Sequence, residues 1–133
     1  MLSACNTISD YLNTYGQLIG TQAQASLNPL HVPSRDEPLC FSDLKRPPFP
    51  AQAHAITACV KQLKRDRACF FVGEQGSGKS LIGIAVAHNL ARSHTTGLVN
   101  PYRASVMCPP HLTHKWEREI RGTISGCEVI QLR

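Results

Sequence analysis

The chain has 133 residues, the size of one domain. At 42% hydrophobic and only 17% charged residues it can bury a core, which excludes an intrinsically disordered tail. Fourteen Lys and Arg against nine Asp and Glu leave a net charge of +5, an excess that suits polyanionic partners or simply solubility.

Six cysteines stand at positions 5, 40, 59, 69, 108 and 127, with no C-x-x-C pair among them. Cys69 and Cys108 fall inside apolar runs, where a thiol behaves as a small hydrophobe. Reduced thiols and a cytoplasmic setting are expected. No basic segment followed by an apolar run opens the chain, so no signal peptide is expected. No apolar stretch reaches the roughly 18 residues a membrane-spanning helix needs.

Taken in order, residues 7–19 place Ile8, Tyr11, Leu12, Tyr15, Leu18 and Ile19 at helical intervals and predict a short amphipathic helix. Residues 28–50 hold prolines at 29, 33, 38, 47, 48 and 50 and read as a linker or strap. The expected organisation is therefore an N-terminal helix and Pro-rich strap over 1–45, then a compact domain over 46–133. Residues 51–66 carry the stripe Ala51, Ala55, Ile56, Cys59, Val60 and Leu63 of a second helix. Residues 68–72, Ala-Cys-Phe-Phe-Val, read as a buried strand. Residues 79–92 are apolar nearly all round and predict a buried helix. A second strand is expected over 104–108, closed by Pro109 and Pro110, then a helix over 112–121 and a third strand over 127–132. Strands alternating with helices predict an α/β fold with a parallel sheet.

The segment Gly73-Glu74-Gln75-Gly76-Ser77-Gly78-Lys79-Ser80 fits the phosphate-loop pattern G-x-x-x-x-G-K-[ST]. Its glycines let successive backbone N–H groups turn inward at a helix N-terminus, where they form an anion cradle. Lys79 supplies a point charge to the phosphates. Ser80 offers a hydroxyl to Mg²⁺. The expected ligand is ATP with Mg²⁺. Gln52 lies upstream, after Arg46-Pro-Pro-Phe-Pro-Ala, and its amide can donate and accept at once, which matches the edge of adenine. Phe49 is placed to stack on or border the base.

These features together resemble the first RecA-like lobe of superfamily-two helicases of the DEAD/DEAH-like and Swi/Snf type. Gln52 is similar to their adenine-reading Gln motif and residues 73–80 to motif I. Val106-Met-Cys-Pro-Pro-His-Leu112 resembles motif Ia, and Lys115-Trp-Glu-Arg-Glu-Ile120 resembles the segment that follows it. The resemblance implies a P-loop NTPase fold, a three-layer parallel sheet left incomplete. It implies ATP binding by the first lobe of a DNA helicase or DNA-dependent ATPase, with nucleic acid, DNA favoured, as partner. The nucleic-acid backbone would meet Pro109, Pro110 and His111. The location would be cytoplasmic, and nucleoid-associated or nuclear if DNA is the partner.

The pattern departs from that family downstream. No Asp-Glu pair follows an apolar strand, and the Asp36-Glu37 pair lies upstream of the loop. The chain is thus expected to stop short of motif II and the second lobe, to need a further polypeptide for activity, and to have no complete catalytic set, Lys79 being its one charge-stabilising residue. Two other readings compete: a non-catalytic nucleotide-binding remnant or interaction module, and a small P-loop kinase, which usually carries its loop nearer the N-terminus. Cys108, His111 and His114 lack a standard zinc spacing. The basic run Lys61, Lys64, Arg65 and Arg67 reads as a solvated helix end.

Overall fold

A computed structural model describes residues 7–26, 29–92 and 96–132. Cys5 lies outside the described residues. Their regular elements are four α-helices and one 3₁₀ turn: α1 (Ile8–Ser26), α2 (Pro50–Asp66), α3 (Lys79–Ala91), the turn Pro110–Leu112 and α4 (Thr113–Thr123). No helix is long and apolar enough to cross a membrane among the described residues.

The expected helices over 51–66, 79–92 and 112–121 match these elements within two residues, because each rests on a repeating apolar stripe. α2 begins where Pro50 stands at its first position, a site at which the missing N–H costs nothing. It ends at Arg67, whose backbone turns left-handed at φ 59° while its N–H donates to the Leu63 carbonyl. α2 buries Ala53, Ile56, Thr57, Cys59 and Val60, and α3 buries Leu81, Ile82, Ile84, Ala85, His88 and Asn89. α3 packs on both α2 and α4, while among the described residues α1 makes no contact with the other helices. The 7–19 helix runs on to Ser26, and Gly20 does not end it.

The core joins Ile56 and Val60 of α2, Ile82, Ile84 and Ala85 of α3, Ile124 after α4, and Leu44 of the strap. Leu39, Phe41, Trp116 and Ile120 pack around it. The strap is thus a layer of the core, although it has no regular structure. Polar bonds hold it there. The Leu39 N–H donates to the Thr57 hydroxyl at 3.0 Å. Lys45 donates through its backbone N–H to the Thr123 carbonyl at 3.0 Å and through Nζ to the Arg121 carbonyl at 2.8 Å.

Two charged clusters fasten the same layer. His88 Nε2 of α3 meets Asp43 Oδ2 at 2.8 Å, its Nδ1 meets the Tyr102 hydroxyl at 3.2 Å, and Arg92 pairs with the other oxygen of Asp43. Burial pushes the Asp43 carboxyl up, but the His88 hydrogen bond, a backbone bond and Arg92 outweigh it and hold it below the usual value. His31 Nε2 lies 2.8 Å from His54 Nδ1 of α2, and its Nδ1 faces Lys61 at 3.3 Å and Asp36 at 3.5 Å.

The α/β expectation is overturned. Among the described residues there is no strand and no sheet, only an isolated antiparallel bridge between Arg92 and Val99. Residues 68–72, 104–108 and 127–132, expected as three parallel strands, have no ladder. A strand exists only when neighbouring backbones exchange N–H···O=C bonds across it. These runs have no such neighbour, and of their residues only Cys127 packs against the core. Phe70 is 97% exposed, Val72 94% and Met107 99%. With the sheet goes the resemblance to the RecA-like lobe of a superfamily-two or Swi/Snf-type helicase, whose core is that sheet. The fold is all-α.

Candidate functional site

The eight loop residues Gly73–Ser80 join the extended segment after α2 to the first turn of α3. Gly76 at φ 86° and Gly78 at φ 83° both lie in the left-handed region, open to glycine and strained for other residues. A Cβ on Gly78 would also collide with the Gln52 side-chain amide. The turn is closed by the Ser77 N–H on the Glu74 carbonyl at 3.2 Å. Ser77 Oγ is buried inside it with no hydrogen-bond partner.

Gly78 is the N-cap of α3, so no side chain caps the first-turn N–H groups of that helix. The uncapped end opens into a hollow of about 500 Å³. Gln75, Gly76, Gly78, Lys79 and Ser80 form one wall; Arg46, Phe49 and Gln52 and, from α4, Lys115 and Glu119 form the others. Arg46 pairs with Glu119 at 2.6 Å across the rim. The Lys79 ammonium folds back on its own loop, donating to the carbonyls of Gly73 at 3.1 Å and Glu74 at 2.7 Å.

Gln52 stands beside the loop, as its spacing suggests, with its amide engaged by the protein itself. Oε1 accepts from the Phe49 N–H at 3.0 Å, half of a capping box for α2. Nε2 donates to the Ser77 carbonyl at 3.1 Å. One donor hydrogen and one acceptor lone pair remain for a ligand. Phe49 is 75% exposed at the rim of the hollow.

Gly73, Glu74 and Ser77 shape the loop without lining the hollow. Pro109, Pro110 and His111 lie outside it, on the exposed 3₁₀ turn before α4. Sequence reasoning named Arg46, Lys115 and Glu119 only within the segments of the helicase resemblance and gave none of them a place at the loop. Their signal was legible only in part: Lys115 and Glu119 sit four apart on a helix and so share a face, but nothing in the spacing places that face against the loop.

No family model, curated protein or solved structure matches the chain. The helicase resemblance therefore finds support neither in the fold nor in these comparisons, and the hollow has to be judged on its own chemistry.

Proposed function

We propose that this chain binds the polyphosphate of a nucleoside triphosphate, with ATP as the base-matched ligand, in the hollow at the N-terminus of α3. The observation that carries the reading is the uncapped first turn of α3, which follows two left-handed glycines and opens onto a hollow that Lys79 and Ser80 also line. Unsatisfied N–H groups and the positive end of the helix dipole attract anions at such a terminus. Lys79 is in reach of the loop and would exchange its two carbonyl partners for phosphate oxygens, which bind an ammonium more strongly.

Mg²⁺ fits the same donors. Among the described residues no group of three or more His, Cys, Asp or Glu gathers to hold a metal, so a dedicated protein cage is not the model for it. Mg²⁺ commonly takes one or two protein oxygens plus phosphates and water. Here Ser80 Oγ would supply one, and the ion would neutralise phosphate charge.

The proposed activity is binding. Glu119 is the one carboxylate among the residues lining the hollow, and Arg46 already holds it. The nucleic-acid partner expected at Pro109, Pro110 and His111 followed from the resemblance and forms no part of this proposal. Titration of the chain with MgATP tests the reading. Lys79→Ala should abolish binding or weaken it at least ten-fold, as expected for loss of a charged phosphate contact worth about 1.5–3 kcal/mol. Unchanged affinity in that variant would remove the phosphate-loop reading.

A further inference from the structure

The hollow is lined by two lysines, and only one belongs to the loop. Lys79 rises from the loop and rests on the Gly73 and Glu74 carbonyls. Lys115 projects from α4, is exposed, and lines the same space. On a helix, Lys115 would ordinarily pair with Glu119 four residues on. That carboxylate is drawn away by Arg46 at 2.6 Å, and Lys115 makes no hydrogen bond or ion pair with any described residue. The Arg46–Glu119 pair cancels its own charge. Lys79 and Lys115 are left as the uncompensated charges of the hollow.

Their placement separates their roles. The Arg46–Glu119 pair joins the strap to α4, and both residues line the hollow together with Lys115. Lys115 stands four residues before Glu119, about 6 Å along α4. The loop N–H groups and Lys79 serve the phosphates nearest the start of α3. The same hollow holds a second ammonium, that of Lys115, which lies outside the loop.

We propose that Lys115 binds the terminal phosphate and makes the hollow selective for nucleoside triphosphates over diphosphates. This rests on the phosphate-loop reading and adds a residue that no loop motif contains. A terminal phosphate carries the charge that distinguishes the two ligands. A lone flexible ammonium answers it as a point charge, without the fixed fork geometry of a guanidinium.

The test is calorimetric titration of the full chain with MgATP and with MgADP. The wild-type chain should bind MgATP more tightly. Lys115→Ala should lose about ten-fold in MgATP affinity and leave MgADP affinity unchanged, the tenfold corresponding to 1.4 kcal/mol. Lys79→Ala should lose both ligands, and Lys115→Arg should retain the preference. Arg118→Ala, an equal loss of charge on α4 outside the hollow, should change neither affinity. If Lys115→Ala weakens both ligands equally, or neither, the assignment of Lys115 is overturned while the loop reading stands. If the wild-type chain binds neither ligand, the loop reading falls and Lys115 falls with it.

Discussion

Replacing Gly78 by Ala tests how the phosphate loop is built. Two separate penalties apply. At φ 83° an L-residue pays about 1–2 kcal/mol for the left-handed region. The added Cβ also drives the Gln52 amide off the Ser77 carbonyl, and losing that hydrogen bond costs about 0.5–1.5 kcal/mol. Together they should destabilise the chain by roughly 2–3 kcal/mol. With a urea slope of about 1–3 kcal/mol/M, the unfolding midpoint should fall by roughly 0.7–3 M. A double-mutant cycle separates the two parts. On a Gln52→Ala background the steric part is gone, so Gly78→Ala should cost only the backbone term, and the two substitutions should couple by about 0.5–1.5 kcal/mol. Strict additivity would refute the claim that Gln52 is what excludes a side chain at Gly78. A Gly78→Ala chain as stable as the wild type would refute the backbone geometry itself.

Two further expectations concern titrating groups. His31 is held below its ordinary 6.5 by burial, then by Lys61 and the neighbouring His54, against the opposing pull of Asp36. The folded His31 therefore resists a proton that the unfolded chain accepts; its contribution is fully present above about pH 6.5 and is lost as the pH falls towards the depressed folded value. The urea midpoint should drop between pH 7.5 and 5.5, and His31→Asn should flatten that slope; a midpoint insensitive to pH in the wild-type chain would contradict it. Asp36, lowered by its backbone bond from Val32 and by Lys61, adds a second loss only at more acidic pH, below about 3.8. Burial and the adjacent Cys69 thiol push the Cys59 thiol up to about 11, whereas the Ser42 hydroxyl lowers that of exposed Cys40. Alkylation of the native chain at pH 8, read by peptide mass mapping, should label Cys40 well before Cys59, and equal rates would be inconsistent with the burial of Cys59.

The helices and the loop were legible because both are local. The stripe through Ile56, Cys59 and Val60, or through Trp116 and Ile120, needs only the helical repeat to be seen. The loop needs only the order of its glycines, Lys79 and Ser80. The strands failed because pairing is not local. Ala-Cys-Phe-Phe-Val has the composition of a buried strand, yet composition does not say whether another backbone lies alongside. The strap was misjudged for a related reason. Its prolines rule out regular structure, but they do not keep Leu39, Phe41 and Leu44 out of the core. At the site, Gln52 was found by its spacing, while its use as a brace between the first turn of α2 and the Ser77 carbonyl depends on two bonds that only the folded chain shows.

The three extended runs have a consequence for the chain in solution. Phe70, Val72, Met107 and Leu132 are all more than nine-tenths exposed, on backbone that joins no ladder. A short apolar β-prone stretch with open backbone groups is adhesive towards its own kind. Arg65, Asp66 and Arg67 stand immediately before the 68–72 run, where charged residues act as gatekeepers against stacking. The run over 127–132 has Glu128 near its start. Charges at the ends of these runs oppose their association, and salt that screens them should favour it.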